Sequence, residues 1–304
     1  MAENRTVQNT ADDFQKTADR VSAVSIVGNL LLSAFKLAAG LFATSTAMIS
    51  DAIHSASDVF SSIVVIIGIH LSSRESDEEH PYGHERLECV AAIILSTVLF
   101  VTGISIGISA LQTIARGHYE DLKIPGILAG IAAVVSIIVK EAMFWYTKKN
   151  AEKIDSAALM ADAWHHRSDA LSSIGAFIGI AGARAGFPVL DSIAGLVICL
   201  FITKAAYDIF KDAIDKMVDH SCDAETLKSL NDFIRNIDGV MAIDDLRTRE
   251  FGNKIYVDVE IAVDGNLPLY QAHEIAEHVH DHIEFRFTKV KHIMVHVNPY
   301  QAKE

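Results

Sequence analysis

Two pairs of residues in the first two-thirds of the chain have the types and spacing of a metal site. His54 and Asp58 stand four residues apart, and so do His165 and Asp169. On a helix such a pair shares one face, with its side chains ~6 Å apart, so each pair offers an imidazole nitrogen and a carboxylate oxygen to the same point. Two imidazoles and two carboxylates can surround one divalent ion tetrahedrally, with ligand types suited to zinc. The pairs are copies of one another. Asp51-Ala52-Ile53-His54-Ser55-Ala56-Ser57-Asp58 and Asp162-Ala163-Trp164-His165-His166-Arg167-Ser168-Asp169 both read D-A-x-H-x-x-S-D, 111 residues apart. The match runs on through Ser61-Ser62-Ile63 with Ser172-Ser173-Ile174 and Ile67-Gly68 with Ile178-Gly179, identical at ten of 18 positions. Duplicated segments of this kind place a substrate site near the bilayer midplane, between the copies. The plainer alternative is that these groups are polar glue between helices. Against it, ionisable residues inside a membrane cost ~2.5–3.5 kcal/mol each on insertion scales, so matched sets of them call for a function. Asp51 and Asp162, one turn earlier, read as supporting partners or caps. His166 and Arg167 are not shared by the repeat and read as poorer ligands.

These residues lie in apolar runs that must be helices to carry them. The chain has 304 residues, is 50% hydrophobic and only 21% charged, with mean hydropathy +0.27. Residues 89–115 form an unbroken uncharged run, longer than the ~18–20 residues that span ~30 Å of hydrocarbon. Runs at 21–41, 47–71, 124–146, 156–183 and 189–207 are less pure, the one at 124–146 carrying only Lys140 and Glu141 near one end. Six spans follow. Lys16 and Arg20, then Arg74 and Arg86, then Lys148, Lys149 and Lys153 weight one set of loops, which places the N-terminus inside and, with an even count, the C-terminus too. The polar first 20 residues show no secretory pattern.

After residue 211 the composition changes. Residues 212–304 hold 18 acidic and 10 basic residues, a soluble tail. Its pattern predicts a helix at 224–237, a strand at 240–250, a turn at Gly252-Asn253, an alternating strand at 254–263, a helix at 268–283 and a strand at 289–297. That αββαβ order suggests a small ferredoxin-like α+β domain. The expected architecture is therefore an α-helical membrane protein with a cytoplasmic segment at 1–20, a six-helix transmembrane domain at 21–211 and a cytoplasmic metal-binding and dimerisation domain at 212–304.

Composition excludes several classes. Net charge −13 argues against a nucleic-acid partner. Three scattered cysteines, Cys89, Cys199 and Cys222, make neither a disulfide framework nor a zinc ribbon. Fourteen histidines in an acidic, apolar chain point instead to a membrane and a cation.

Paired HxxxD motifs in spans 2 and 5 of six, with an αββαβ tail, resemble the cation diffusion facilitator family. His80-Pro81-Tyr82-Gly83-His84, Asp245-Leu246-Arg247-Thr248-Arg249 and Gln271-Ala272-His273 add to the resemblance, which covers essentially the whole chain. It implies a homodimeric antiporter in the plasma or inner membrane that exports divalent metal from the cytoplasm in exchange for protons, with the transport site at His54, Asp58, His165 and Asp169. The two-His, two-Asp set is of the family's zinc type, Zn2+ being the substrate and a regulatory ligand, with Cd2+, Fe2+, Co2+ and Mn2+ as alternatives. An Asp in place of His54 would imply broader iron, zinc and cadmium use. The acidic loop with Asp77, His80 and His84 binds a second zinc in some relatives; an ordinary solvated loop is the other reading. Arg86 and Asp219 would interlock at the dimer junction. In the tail the resemblance implies a metal site between protomers lined by Asp258, His273 and His296, with Asp244 a further candidate. Asn298 stands where some relatives have Asp, which favours fewer ions. His278, His280 and His282 do not all share one helix face and read as solvated.

An enzyme is the competing class. An intramembrane metallopeptidase needs HExxH, and His273-Glu274-Ile275-Ala276-Glu277-His278 has the wrong spacing. No GxSxG or P-loop pattern occurs. Four protein ligands would also fill the zinc shell and leave no position for a catalytic water. A membrane protein that senses or scaffolds metal without moving it is the remaining alternative.

Overall fold

Helices occupy the apolar runs because a chain in hydrocarbon must satisfy its backbone internally. The computed structural model describes residues 2–42, 52, 55–56, 58–116, 127–184 and 189–300. Its elements are α1 (Ala2–Phe42), α2 (Val59–Ser72), α3 (Arg86–Arg116), α4 (Ile127–Ile154), α5 (Ala157–Arg184), α6 (Val189–Met217), α7 (Ala224–Arg235), β1 (Ala242–Phe251), β2 (Lys254–Val263), α8 (Leu269–Arg286) and β3 (Val290–Pro299). Helix α1 runs through the polar first 20 residues as well. Among the described residues, Phe14–Ala39 and Arg86–Ala115 are long and apolar enough to cross a membrane by length and composition, with mean hydropathy 1.7 and 2.4. The described part of α2 is short, at 14 residues, and α5 carries the ionisable groups of the repeat.

The chain divides into two compact units, Gln8–Ile214 and Asp215–Glu304 with Met1–Val7. In the first, Val21 of α1, Val65 and Ile69 of α2, Leu95 and Leu99 of α3, Leu159 of α5 and Ile202 of α6 share one core. Its polarity is inverted relative to a water-soluble bundle. Ser22, Ser25, Asn29, Lys140, Asp162 and His166 are buried, while Ile94, Val98, Val101, Ile108 and Leu111 of α3 face outward. Apolar surface of that extent needs an apolar solvent. The turn from α4 to α5 aligns the two helices that matter most. Asp155 takes a left-handed φ of 55° and ends α4, and the Ser156 hydroxyl accepts from Leu159 N at 3.2 Å to start α5.

In the second unit the order is helix, strand, strand, helix, strand, matching the tail pattern read from sequence. Strand β2 is central, antiparallel to β1 and parallel to β3. The β1–β2 hairpin closes on Gly252-Asn253, where Gly252 takes φ 63°, as two-residue hairpin turns require of their first central residue. One sheet face carries Val257, Val259 and Ile261, which pack on Leu230 and Ile234 of α7 and Val279 and Ile283 of α8. By the two-residue period of a strand, Asp258 and Glu260 stand on the opposite face.

Helix α7 has its cap built in. The Asp223 carboxylate accepts from Glu225 N and Thr226 N at 3.0 and 2.9 Å and from the Thr226 hydroxyl at 2.6 Å. The hydroxyl above all, then the Thr226 N–H, holds that carboxyl below the usual carboxylate range. Asp223→Ala is expected to cost about 1 kcal/mol, the ordinary worth of such a cap. Because the folded value is depressed, the contribution is present above about pH 4 and fades as pH falls through the lowered value. Thermal unfolding of wild type and variant at pH 7 and at pH 3 checks this: the two should differ at the first and converge towards the second.

Candidate metal centre

Helix α5 carries two acid–imidazole pairs, not one. His165 and Asp169 are four apart with Nε2 and Oδ2 4.0 Å from each other, and Asp162 and His166 are four apart with Oδ2 and Nε2 at 3.4 Å. The two imidazoles are adjacent in sequence and so point about 100° apart on the helix. Asp58, the residue that heads α2, meets the first pair: its Oδ1 lies 3.4 Å from His165 Nε2. Asp58, His165 and Asp169 each offer a ligand atom, and these atoms all lie within 4.8 Å of one another. Asp58 is 3% exposed. Three of the four residues expected at the transport site are thus brought together; His54 lies outside the described residues, as does Asp51.

The second pair faces elsewhere. Asp162 Oδ1 accepts from the Ser61 and Ser62 hydroxyls at 3.2 and 3.4 Å, and His166 Nε2 lies 3.1 Å from Ser25 Oγ. Asp162 and His166 are both fully buried. Asp162 therefore ties α5 to α2, and His166 ties α5 to α1. Arg167 turns outward, 3.3 Å from Glu141 and stacked 4.4 Å over the Phe144 ring.

One side chain at this centre has no local signal in the sequence. Lys140, near the end of its apolar run, is 2% exposed and sits between the two carboxylates. Its Nζ donates to Asp58 Oδ2 at 2.6 Å, to Asp169 Oδ2 at 2.7 Å and to Asn29 Oδ1 at 2.9 Å. An ammonium has three donors, and all three are used. A signal for it was present. The 111-residue repeat extends to Val24-Ser25-Ile26 and Val135-Ser136-Ile137, and at that offset Asn29 is the counterpart of Lys140. The two counterparts meet at the site itself, as a pseudo-two-fold axis through it would require.

The acidic loop between α2 and α3 is ordered around Asp77. Its Oδ1 accepts from His80 N at 2.7 Å and Glu79 N at 3.0 Å, and the first of these bonds holds the carboxyl below the usual carboxylate range. His80 Nδ1 lies 3.3 Å from Asp77 Oδ1, and His84 Nε2 lies 3.5 Å from Asp77 Oδ2. His84 Nδ1 is 3.1 Å from the Glu75 carbonyl, which can only accept, so Nδ1 carries a proton and Nε2 is the nitrogen that faces Asp77. Asp77, His80 and His84 have the mutual distances of a metal-ligand set.

The tail residues are more scattered. Asp258 and His296 lie on the open sheet face, where His296 pairs in register with Glu260. Asp244 accepts from Asn298 Nδ2 at 3.1 Å, and Glu260 shares that donor at 3.3 Å. His273 is on α8, 3.6 Å from Glu277. Within one chain, the described residues do not bring Asp258, His273, His296 and Asp244 into one ligand set. Arg86 opens α3, and Asp219, at φ 63°, follows α6; they belong to different units.

Residues 22–218 match the cation efflux transmembrane domain, and residues 222–300 match the cytoplasmic domain of cation efflux proteins. The chain is 36% identical to the uncharacterized transporter MJ0449 of Methanocaldococcus jannaschii, over 90% of this chain and 96% of that one. It is 35% identical to metal tolerance protein C1 of Arabidopsis thaliana, over 92% of this chain and 62% of that one. It is 32% identical to the manganese efflux system protein MneP of Bacillus subtilis, over 95% and 99% of the two chains.

Proposed function

The chain belongs to the cation efflux family, whose members are membrane transporters rather than enzymes, and from that premise we propose that it exports a divalent metal ion, zinc first, from the cytoplasm in exchange for protons. The observation that carries the reading is the meeting of Asp58 from α2 with His165 and Asp169 from α5. Ligands held ~2.0–2.2 Å from one tetrahedral zinc are themselves ~3.4 Å apart. The separations of His165 Nε2 from the two carboxylates, 3.4 and 4.0 Å, are close to that spacing. His54 is the fourth ligand in this reading. Imidazole binds metal only when neutral, so a proton and the metal compete for the same nitrogen, and that competition is the coupling.

The rest of the reading follows from the same premise. The helices α1 to α6 are six spans, with both termini on the cytoplasmic side of the cell membrane. Two copies associate through the tail, with Arg86 and Asp219 interlocking at the junction. Asp77, His80 and His84 hold a second ion on the cytoplasmic side, and Asp258, His273 and His296, with Asp244, hold regulatory metal between protomers. Manganese is the second reading of the cargo. It is favoured by MneP and MneS, the manganese efflux system proteins of Bacillus subtilis, each 32% identical to this chain.

The test is flux by the purified chain in proteoliposomes loaded with a metal-sensitive dye, run with zinc and with manganese at equal concentration. Zinc should move faster than manganese, and an opposing pH gradient should accelerate it. Manganese moving faster would reassign the cargo, flux indifferent to pH would remove the antiport, and no flux of either metal would leave a binding protein.

A further inference from the structure

We propose that Lys140 is a tethered counter-cation of the transport site: its ammonium holds the Asp58 and Asp169 carboxylates between cargo ions, and the arriving metal must displace it. The inference rests on the reading of those two carboxylates as metal ligands. Three observations carry it. The ammonium touches both carboxylates, at 2.6 and 2.7 Å, with an Asn29 oxygen as third acceptor at 2.9 Å. Lys140 is buried, so water does not screen it. The Asp169 oxygen that receives the ammonium, Oδ2, is the same atom that faces His165 Nε2.

That last point makes the two cations competitors. Asp169 Oδ2 cannot direct its charge to an ammonium and to a divalent ion placed towards His165 at equal strength. A metal gripped by both carboxylates would also lie a few ångströms from a full positive charge, in a site of low dielectric where that repulsion is large. The four-carbon stem of lysine is flexible, so the ammonium can leave the carboxylates and keep its bond to Asn29.

Two consequences follow. The metal-free carrier does not rest with two bare buried carboxylates, because while the ammonium holds them one of the two negative charges is offset from within the chain. Metal affinity is set below what the ligands alone would give, which favours release on the far side. The apparent dissociation constant equals the intrinsic one divided by the fraction of sites that the ammonium has vacated.

The experiment uses the full chain in lipid nanodiscs with Zn2+ as the probe. Lys140→Met removes the charge and keeps most of the volume. Zn2+ should bind about 10-fold tighter or more if the ammonium holds the site nine-tenths of the time. In proteoliposomes its KM and its maximal flux should fall together, because release is slowed. Lys140→Arg, which restores the charge, should return the affinity towards that of the wild type. A second measurement does not depend on Lys140→Met folding. In wild-type chain labelled with 15Nζ-lysine, the Lys140 resonance, assigned by its loss in Lys140→Arg, should move when Zn2+ fills the site and should not move in Asp169→Asn. Zn2+ binding that needs Asp58 and Asp169, with the Lys140 resonance unmoved or with affinity unchanged or weaker in Lys140→Met, overturns the proposal and leaves the site reading standing. Zn2+ binding indifferent to Asp58 and Asp169 removes the site reading, and the proposal with it.

Discussion

Asp58→Asn is expected to lower metal flux at least ~100-fold, the upper end of what losing even a supporting group costs a metal site. The choice of asparagine separates two accounts of a residue that is 3% exposed and touches both Lys140 and His165. If Asp58 only joins α2 to α4 and α5, a neutral amide oxygen can still accept from the Lys140 ammonium, and that ammonium keeps its ion pair with Asp169. The variant would then fold and transport nearly as well as wild type. If Asp58 is a ligand, the amide is a poor substitute for an anionic oxygen, and flux fails with the fold intact. Asp58→Ala is the weaker test, because it strips a partner from a buried ion pair, and that alone costs ~3–5 kcal/mol. Flux and thermal unfolding measured on the same Asp58→Asn preparation decide: normal stability with lost flux supports the ligand, and normal flux sinks it.

The parts of this site that could be read from sequence are those whose chemistry is local. An imidazole and a carboxylate four residues apart face the same way on any helix, so His165 and Asp169 declared themselves, and the repeat at 51–68 and 162–179 raised the pair above coincidence. The tail was legible for a similar reason. The alternation over Lys254–Val263 and the Gly252-Asn253 turn are short-range signals, and the strand and hairpin formed where they predict. Lys140 was not legible in that way. Its partners are 29, 82 and 111 residues away in the sequence, and a single lysine beside Glu141 looks like a side chain reaching for the membrane surface. Only the turn of α4 against α5 decides that Lys140 points inward while Glu141, one residue on, meets Arg167. The Asp162–His166 pair was hidden by the repeat itself, because Ser55 stands where His166 would have its counterpart. A repeat highlights what is shared and draws attention away from what one copy adds.

Gly68→Ala is expected to destabilise the helical unit by ~1–3 kcal/mol and to lower flux about tenfold, the cost of one overpacked contact. Helix propensity alone predicts the reverse, since alanine is better than glycine in a helix interior by ~1 kcal/mol. Packing wins here because of what a new methyl would meet. A Cβ on Gly68 would overlap the Ala91 methyl of α3, with the Ala91 Cα and the Leu87 carbonyl oxygen each 3.8 Å away. Ala91 has no rotamer with which to yield, and both partners are buried, so α2 and α3 must part. Close approach through small residues is how helices pack where no hydrophobic force drives them together. The displacement reaches the metal centre because Asp58 heads the same helix, ten residues or ~15 Å along it. The compensating change identifies the cause. Ala91→Gly restores the space, so the double variant Gly68→Ala/Ala91→Gly should recover most of both the stability and the flux that Gly68→Ala loses. A Gly68→Ala protein more stable than wild type, or a double variant no better than the single one, would place the function of Gly68 somewhere other than this contact.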